Sequence, residues 1–207
     1  MELLLVRHAE PVRIGPSTVA GPADPTLTER GREQADRVAT WLGTEGIDAV
    51  LSSPLRRARD TSEPIGAALG VEVEVVDGLM EYDAQSDFYI PIEELRESRD
   101  HHWAAMVEGR WDELGGEPPD RFRARIVPCV DAIIERFPGG TIAAVCHGGV
   151  INVYLAALLG LGRHLWFHPE YTSISRIAAA RTGERSVVTL NETAHLVATR
   201  DAREERT

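Results

Sequence analysis

Short apolar runs set between helical stretches are the feature that most restricts what this chain can fold into. Leu3–Val6 is apolar throughout, and Asp48–Ser52 and Thr141–Cys146 have apolar interiors. None shows the alternation of a half-exposed strand, so each reads as a strand buried on both faces, the habit of parallel sheets covered by helices. Between them lie helical segments with recognisable ends. Thr28 suits an N-cap for a helix reaching Leu42 before Gly43. Pro54 fits the first turn of a helix that continues to Leu69, with Gly70 behind it; Pro64 predicts a kink or a split. Further helices are expected over Glu93–Gly109, over Asp120–Phe137, and from His147-Gly148-Gly149 to about Leu159. Val71–Val76 alternates Val with Glu and reads as a more exposed strand. Ser173–Ala180 and Ser186–Leu190 are two late strands. The fold class implied is α/β, a three-layer α/β/α arrangement with a mostly parallel central sheet.

The 207 residues suit one domain, and no repeat or linker divides them. The least patterned stretch begins at Tyr82 and is read as a variable, cap-like segment at about 82–125. The charged residues 201–207 read as a frayed tail. Lys and Arg number 22 against 33 Asp and Glu, a formal net charge of −11. Such a surface disfavours nucleic acid, whose binding rests on neutralising many phosphates, and acidic membranes likewise. The four-residue apolar run near the N-terminus follows an acid and is too short for a signal peptide, and no run approaches a membrane span. Cys129 and Cys146 match no disulfide framework or metal spacing, so a cytoplasmic protein without a metal site is expected.

In open α/β sheets ligands bind at the carboxyl ends of the strands. Three polar clusters fall there: Arg7-His8, Ser52-Ser53-Pro54-Leu55-Arg56-Arg57, and Cys146-His147-Gly148-Gly149. Two histidines and at least one guanidinium would then face a crevice beside a helix N-terminus, an environment suited to a phosphoryl anion. Singly, each signal has a plainer explanation, a hydrogen-bonded structural histidine or a solvated arginine. Their joint occurrence at three strand ends shifts the balance. The crevice would be a small positive site in a negative surface.

Arg7-His8-Ala9-Glu10 after an apolar strand resembles the opening signature of the histidine phosphatase superfamily, in its phosphoglycerate mutase-like branch. Asp24–Ala35, Ser52–Thr61, Val145–Val150 and Asn191–Leu196 are similar to its later blocks and occur in family order. The resemblance implies a phosphoglycerate mutase-like fold and assigns roles. His8 aligns with the nucleophile that becomes phosphohistidine, Arg7 and Arg57 with the phosphate-binding arginines, and His147 with the second pocket histidine. Gly148 falls in the binding turn, and Glu81 aligns with the proton donor. It further implies a cofactor-independent phosphatase acting on a small phosphomonoester, with no metal and with homodimers common among relatives. A phosphoglycerate mutase-type phosphotransferase, or a weakly catalytic protein that binds a phosphate ligand, remain as alternatives. Two departures stand out. Pro11-Val12-Arg13-Ile14 lacks the family's phosphate-contacting Asn, leaving Arg13 or a loop amide as substitutes, and Tyr82–Gln85 does not continue the family pattern after Glu81.

Overall fold

The computed structural model describes residues 1–15, 21–99 and 101–197. One six-stranded sheet runs through it, built from β1 (Glu2–Arg7), β2 (Ala49–Ser52), β3 (Val73–Val75), β4 (Thr141–Cys146), β5 (Ile174–Ala179) and β6 (Arg185–Glu192). The order across the sheet is β3-β2-β4-β1-β5-β6. The first four of these pair in parallel, and β5 and β6 join antiparallel. The register brings Arg7 beside Cys146 and Ser52 beside Val145, so three strands end at one level.

Alternate residues of each central strand enter opposite cores. Leu4, Val6, Val50, Ala143 and Val145 pack with residues of α1 (Glu29–Leu42) and α2 (Arg56–Leu69). Leu3, Leu5, Leu51, Ile142 and Ala144 pack on the other face with residues of α5 (Pro119–Arg136) and α6 (Gly148–Leu159). Both faces are thus covered, which explains the unbroken apolar runs. Each fully buried Leu or Val contributes about 1.5–3 kcal/mol of transfer free energy. Thr28 caps α1 by accepting from the Gly31 N–H at 2.9 Å, and Gly70 ends α2 in the left-handed conformation, φ 68°.

Two expectations about helices need correction. Pro64 neither splits α2 nor ends it. The helix runs on through Pro64 although proline has no N–H to give the Asp60 carbonyl, on a stretch where Glu63 is exposed and Asp60 partly so. The single helix expected over Glu93–Gly109 is instead two short ones, α3 (Ile92–Ser98) and α4 (His101–Val107). The chain turns at Arg99, which sits at φ 49°. A straight helix of that length would carry Leu95 away from Ala105 and Met106; the turn lets them share an apolar cluster with Leu114. Among the described residues no helix is long and apolar enough to cross a membrane.

Buried Gly31 lies where the chain following β1 crosses α1. A Cβ there would collide with the Glu10 backbone carbonyl, which cannot swing aside as a side chain would. Gly31→Ala is expected to destabilise the protein by about 1–3 kcal/mol. A thermal melt would show this as a drop of about 2–4 °C per kcal/mol, and an unchanged Tm would refute it.

Candidate active site

The three strand ends and the segment after β3 converge on one cavity. Arg7, His8, Arg57, Glu81 and Gly148 line it, together with Asp83, Tyr89 and His168. His147 does not line it. Its ring is wholly buried behind His8, with the two ring centroids 5.1 Å apart.

Arg7 and Arg57 are 3% and 1% exposed, and each is held by an acid. Arg7 Nη1 donates to Glu93 Oε1 at 2.9 Å and to the Pro169 carbonyl at 2.6 Å. Its guanidinium carbon lies 3.9 Å from the centre of the Tyr171 ring. Arg57 Nη2 donates to Asp83 Oδ1 at 2.8 Å, and Arg57 lies 4.7 Å from the centre of the Tyr89 ring. Each guanidinium in the crevice is thus paired with a carboxylate, as a cation stripped of water requires. The Nε atoms of both arginines and Nδ1 of His147 are buried without a hydrogen-bond partner among the described residues. Buried donors normally find a partner, so two such guanidinium groups beside one cavity mark an anion site.

His8 Nδ1 lies 2.8 Å from the Ala9 carbonyl oxygen. A carbonyl only accepts, so Nδ1 carries the proton and Nε2 keeps its lone pair. Burial, followed by the positive charges of Arg57 and Arg7, holds the imidazole well below its ordinary range and so neutral. Thr61 braces this corner. Its hydroxyl accepts from Ala9 N–H at 2.9 Å and donates to the Arg57 carbonyl at 2.7 Å. His147 Nε2 meets the Ser53 hydroxyl at 2.7 Å. Burial and the charge of Arg57 keep His147 neutral as well.

Glu81 follows a short turn that Arg125 fixes by donating to the Gly78 and Met80 carbonyls at 2.9 and 3.0 Å. Its carboxyl accepts from Gly149 N–H at 2.8 Å and from Tyr82 N–H at 3.0 Å. Burial, and then the nearby charge of Asp83, push its pKa up to about 7. A Cβ on residue 149 would run into this carboxyl, whereas one on residue 148 would meet only Arg7 Nε at 3.8 Å. Gly148 lines the cavity, and Gly149 is the position of the pair at which the geometry excludes a side chain.

Glu93, Asp83, Tyr89, Tyr171 and His168 were also absent from the sequence reading. Burial alone would raise Glu93, but the hydrogen bond from His168, the charge of Arg7 and the Tyr171 hydroxyl hold it well below the usual carboxylate range. Arg13, the substitute suggested for the missing Asn, points elsewhere: it is largely exposed and pairs with Glu94 at 3.4 Å. Ile14 instead exchanges both backbone hydrogen bonds with Tyr89, at 2.9 and 2.8 Å, and so positions the ring over Arg57. No cluster of three or more side chains able to ligate a metal occurs among the described residues.

The chain matches the profile of the histidine phosphatase superfamily (branch 1) over residues 3–193. It belongs to that family. A bifunctional protein of Mycobacterium tuberculosis is 31% identical over 198 residues, covering 94% of this chain and 54% of that protein. The chain thus spans about half the length of these mycobacterial relatives. Phosphoserine phosphatase 1 of Hydrogenobacter thermophilus is 29% identical over 199 residues, covering 95% of this chain and 94% of that protein. Among solved structures, the mycobacterial glucosyl-3-phosphoglycerate phosphatase superposes with TM-score 0.72 at 27% identity, covering 93% of this histidine phosphatase homologue and 99% of that chain.

Replacing Asp83 by Asn removes the second largest influence that raises Glu81 and releases Arg57 to favour the carboxylate. The Glu81 pKa in Asp83→Asn is expected to fall well below 7, read from carboxyl carbon shifts against pH. An unshifted titration would show that Asp83 does not act on Glu81.

Proposed function

We propose that this protein hydrolyses phosphomonoesters through a phosphohistidine at His8, without a cofactor. The observation that carries this reading is a neutral His8, with its Nε2 lone pair free, between two buried guanidinium groups with unpartnered Nε–H donors. Arg7 and Arg57 keep their outer nitrogens on Glu93 and Asp83 and present Nε–H to the phosphoryl oxygens. In the tautomer where His147 Nε2 accepts from Ser53, its Nδ1–H is left without a partner behind His8. Fixed donors of this kind stabilise the equatorial charge of the transition state without reorganising.

In the first step Nε2 of His8 bonds to phosphorus as the ester P–O bond breaks. The electron pair leaves on the alcohol oxygen, which takes the Glu81 proton. In the second, water attacks phosphorus and gives a proton to the Glu81 carboxylate; the P–N bond breaks and its pair returns to Nε2. A donor with a pKa near 7 suits both halves of this exchange at neutral pH. Gly148 and Gly149 open α6 beside the phosphoryl position, where the helix N-terminus favours an anion. Residues 82–125 serve as a cap, supplying Asp83, Tyr89 and Glu93 around the reacting group.

His8→Ala is expected to lower phosphate release from phenyl phosphate by about 10³-fold or more, with loss of acid-labile phosphoenzyme in phosphorus NMR. Full activity in that variant would end the mechanism. Because Glu81 is raised, it is mostly protonated below about pH 7 and loses its proton above it. kcat/KM for an alkyl phosphate should therefore fall from pH 7 to 9. Glu81→Gln should lower it about 10²–10⁴-fold and abolish the limb, with a smaller loss for 4-nitrophenyl phosphate, whose leaving group needs little protonation. A flat profile for the alkyl ester in the wild type would contradict the assignment.

A further inference from the structure

Beyond the phosphoryl cradle the cavity wall is apolar. Ile90, Ile92 and Met106 come from the segment around α3 and α4, and Leu165 and Phe167 from the loop after α6. That loop is held in place by Asn152. Its Nδ2 donates to the Gly148 and Phe167 carbonyls at 2.9 and 3.0 Å, and its Oδ1 accepts from Trp166 and Phe167 N–H at 2.9 and 3.2 Å. The wall is therefore a fixed surface tied to the same helix that carries the catalytic turn.

Charge is equally specific. The chain has 22 basic residues, all of them arginine. Among the described residues only Arg7 and Arg57 line this cavity, and the proposed function commits both to the phosphoryl group. Asp83 and Glu93 already neutralise them. Of the other polar side chains on the lining, His168 is paired with Glu93 at 3.2 Å, Asn152 is engaged by the loop backbone, and Tyr82 and Tyr89 are phenols without charge to offer an anion. A second anionic group on the substrate would meet no unpaired cation among the described lining residues and would share the cavity with Asp83. An apolar group there would exchange water for five hydrophobic side chains.

We infer that the substrate is a monoester of an uncharged, apolar alcohol, seated on Ile90, Ile92, Met106, Leu165 and Phe167, and not a phosphorylated hydroxy acid. This rests on the phosphoryl site being where we place it. Hydrolysis-resistant phosphonates separate the two questions, because they report binding whether or not the enzyme turns over.

In calorimetric titrations of the whole chain, affinity should rise about fourfold per methylene from ethyl- to butyl- to hexylphosphonate. 6-Phosphonohexanoate, of the same length but ending in a carboxylate, should bind at least about tenfold more weakly than hexylphosphonate. Ile90→Arg, or Leu165→Arg should the first variant fold poorly, adds a cation to the wall and should reverse that order. A flat alkyl series, tighter binding of the carboxylate, or an order unchanged by both variants would overturn the inference. Hydrolysis of the corresponding alkyl phosphates, compared with phosphoserine and 3-phosphoglycerate and controlled by His8→Ala, reads the esterase separately. Preferential hexylphosphonate binding with no turnover would refute the phosphatase and leave this inference standing.

Discussion

The structure depends most on two guanidinium groups buried at the carboxyl ends of β1 and β2, each half satisfied by a carboxylate. Removing a charge this far from water is expensive unless it is paired and hydrogen-bonded. Glu93 and Asp83 supply that pairing from the segment between β3 and α5, and Tyr171 and Tyr89 cover the guanidinium faces. Folding of residues 82–93 and formation of the site are thus one event. The carboxylates hold only the outer nitrogens, so the inner Nε–H groups are left without a partner.

Burial and the charges around the cavity set the protonation states on which the chemistry turns. Burial and the positive charges lower His8, and the Ala9 carbonyl selects its tautomer. Glu81 is buried beside Asp83, and the two influences together exceed the opposing pull of Arg57 and its two N–H donors. A neutral imidazole and a carboxyl that keeps its proton up to about pH 7 therefore sit in one cavity. Environment separates two groups whose ordinary pKa values would leave the first partly charged and the second ionised at neutral pH.

The parallel core was legible because strands buried on both faces leave unbroken apolar runs, as in Leu3–Val6 and Thr141–Cys146. Arg7, His8 and His147 were legible because strand ends are few and the topology gathers them, while Arg57 was told apart from Arg56 only by the family resemblance. Glu93 was not, since it lies 86 residues from Arg7 and looks like any acid in the first turn of a short helix. Tyr89 and Tyr171 carry no local signal either, their role being to cover charges set by distant strands. Gly149 differs from Gly148 only in what its missing Cβ would strike, which depends on where Glu81 arrives. The break at Arg99 escaped for a similar reason: helical composition continues through it, and the turn exists to close an apolar cluster with Leu114.

Burial and the arginine pair keep His8 neutral, and the Ala9 carbonyl places its proton on Nδ1. Nitrogen-15 NMR of ring-labelled histidine, with His8 assigned by comparison with His8→Ala, measures this directly. The account predicts a protonated Nδ1 and an unprotonated Nε2 from pH 6 to 8. A His8 that is imidazolium at pH 6, or that carries its proton on Nε2, would contradict it.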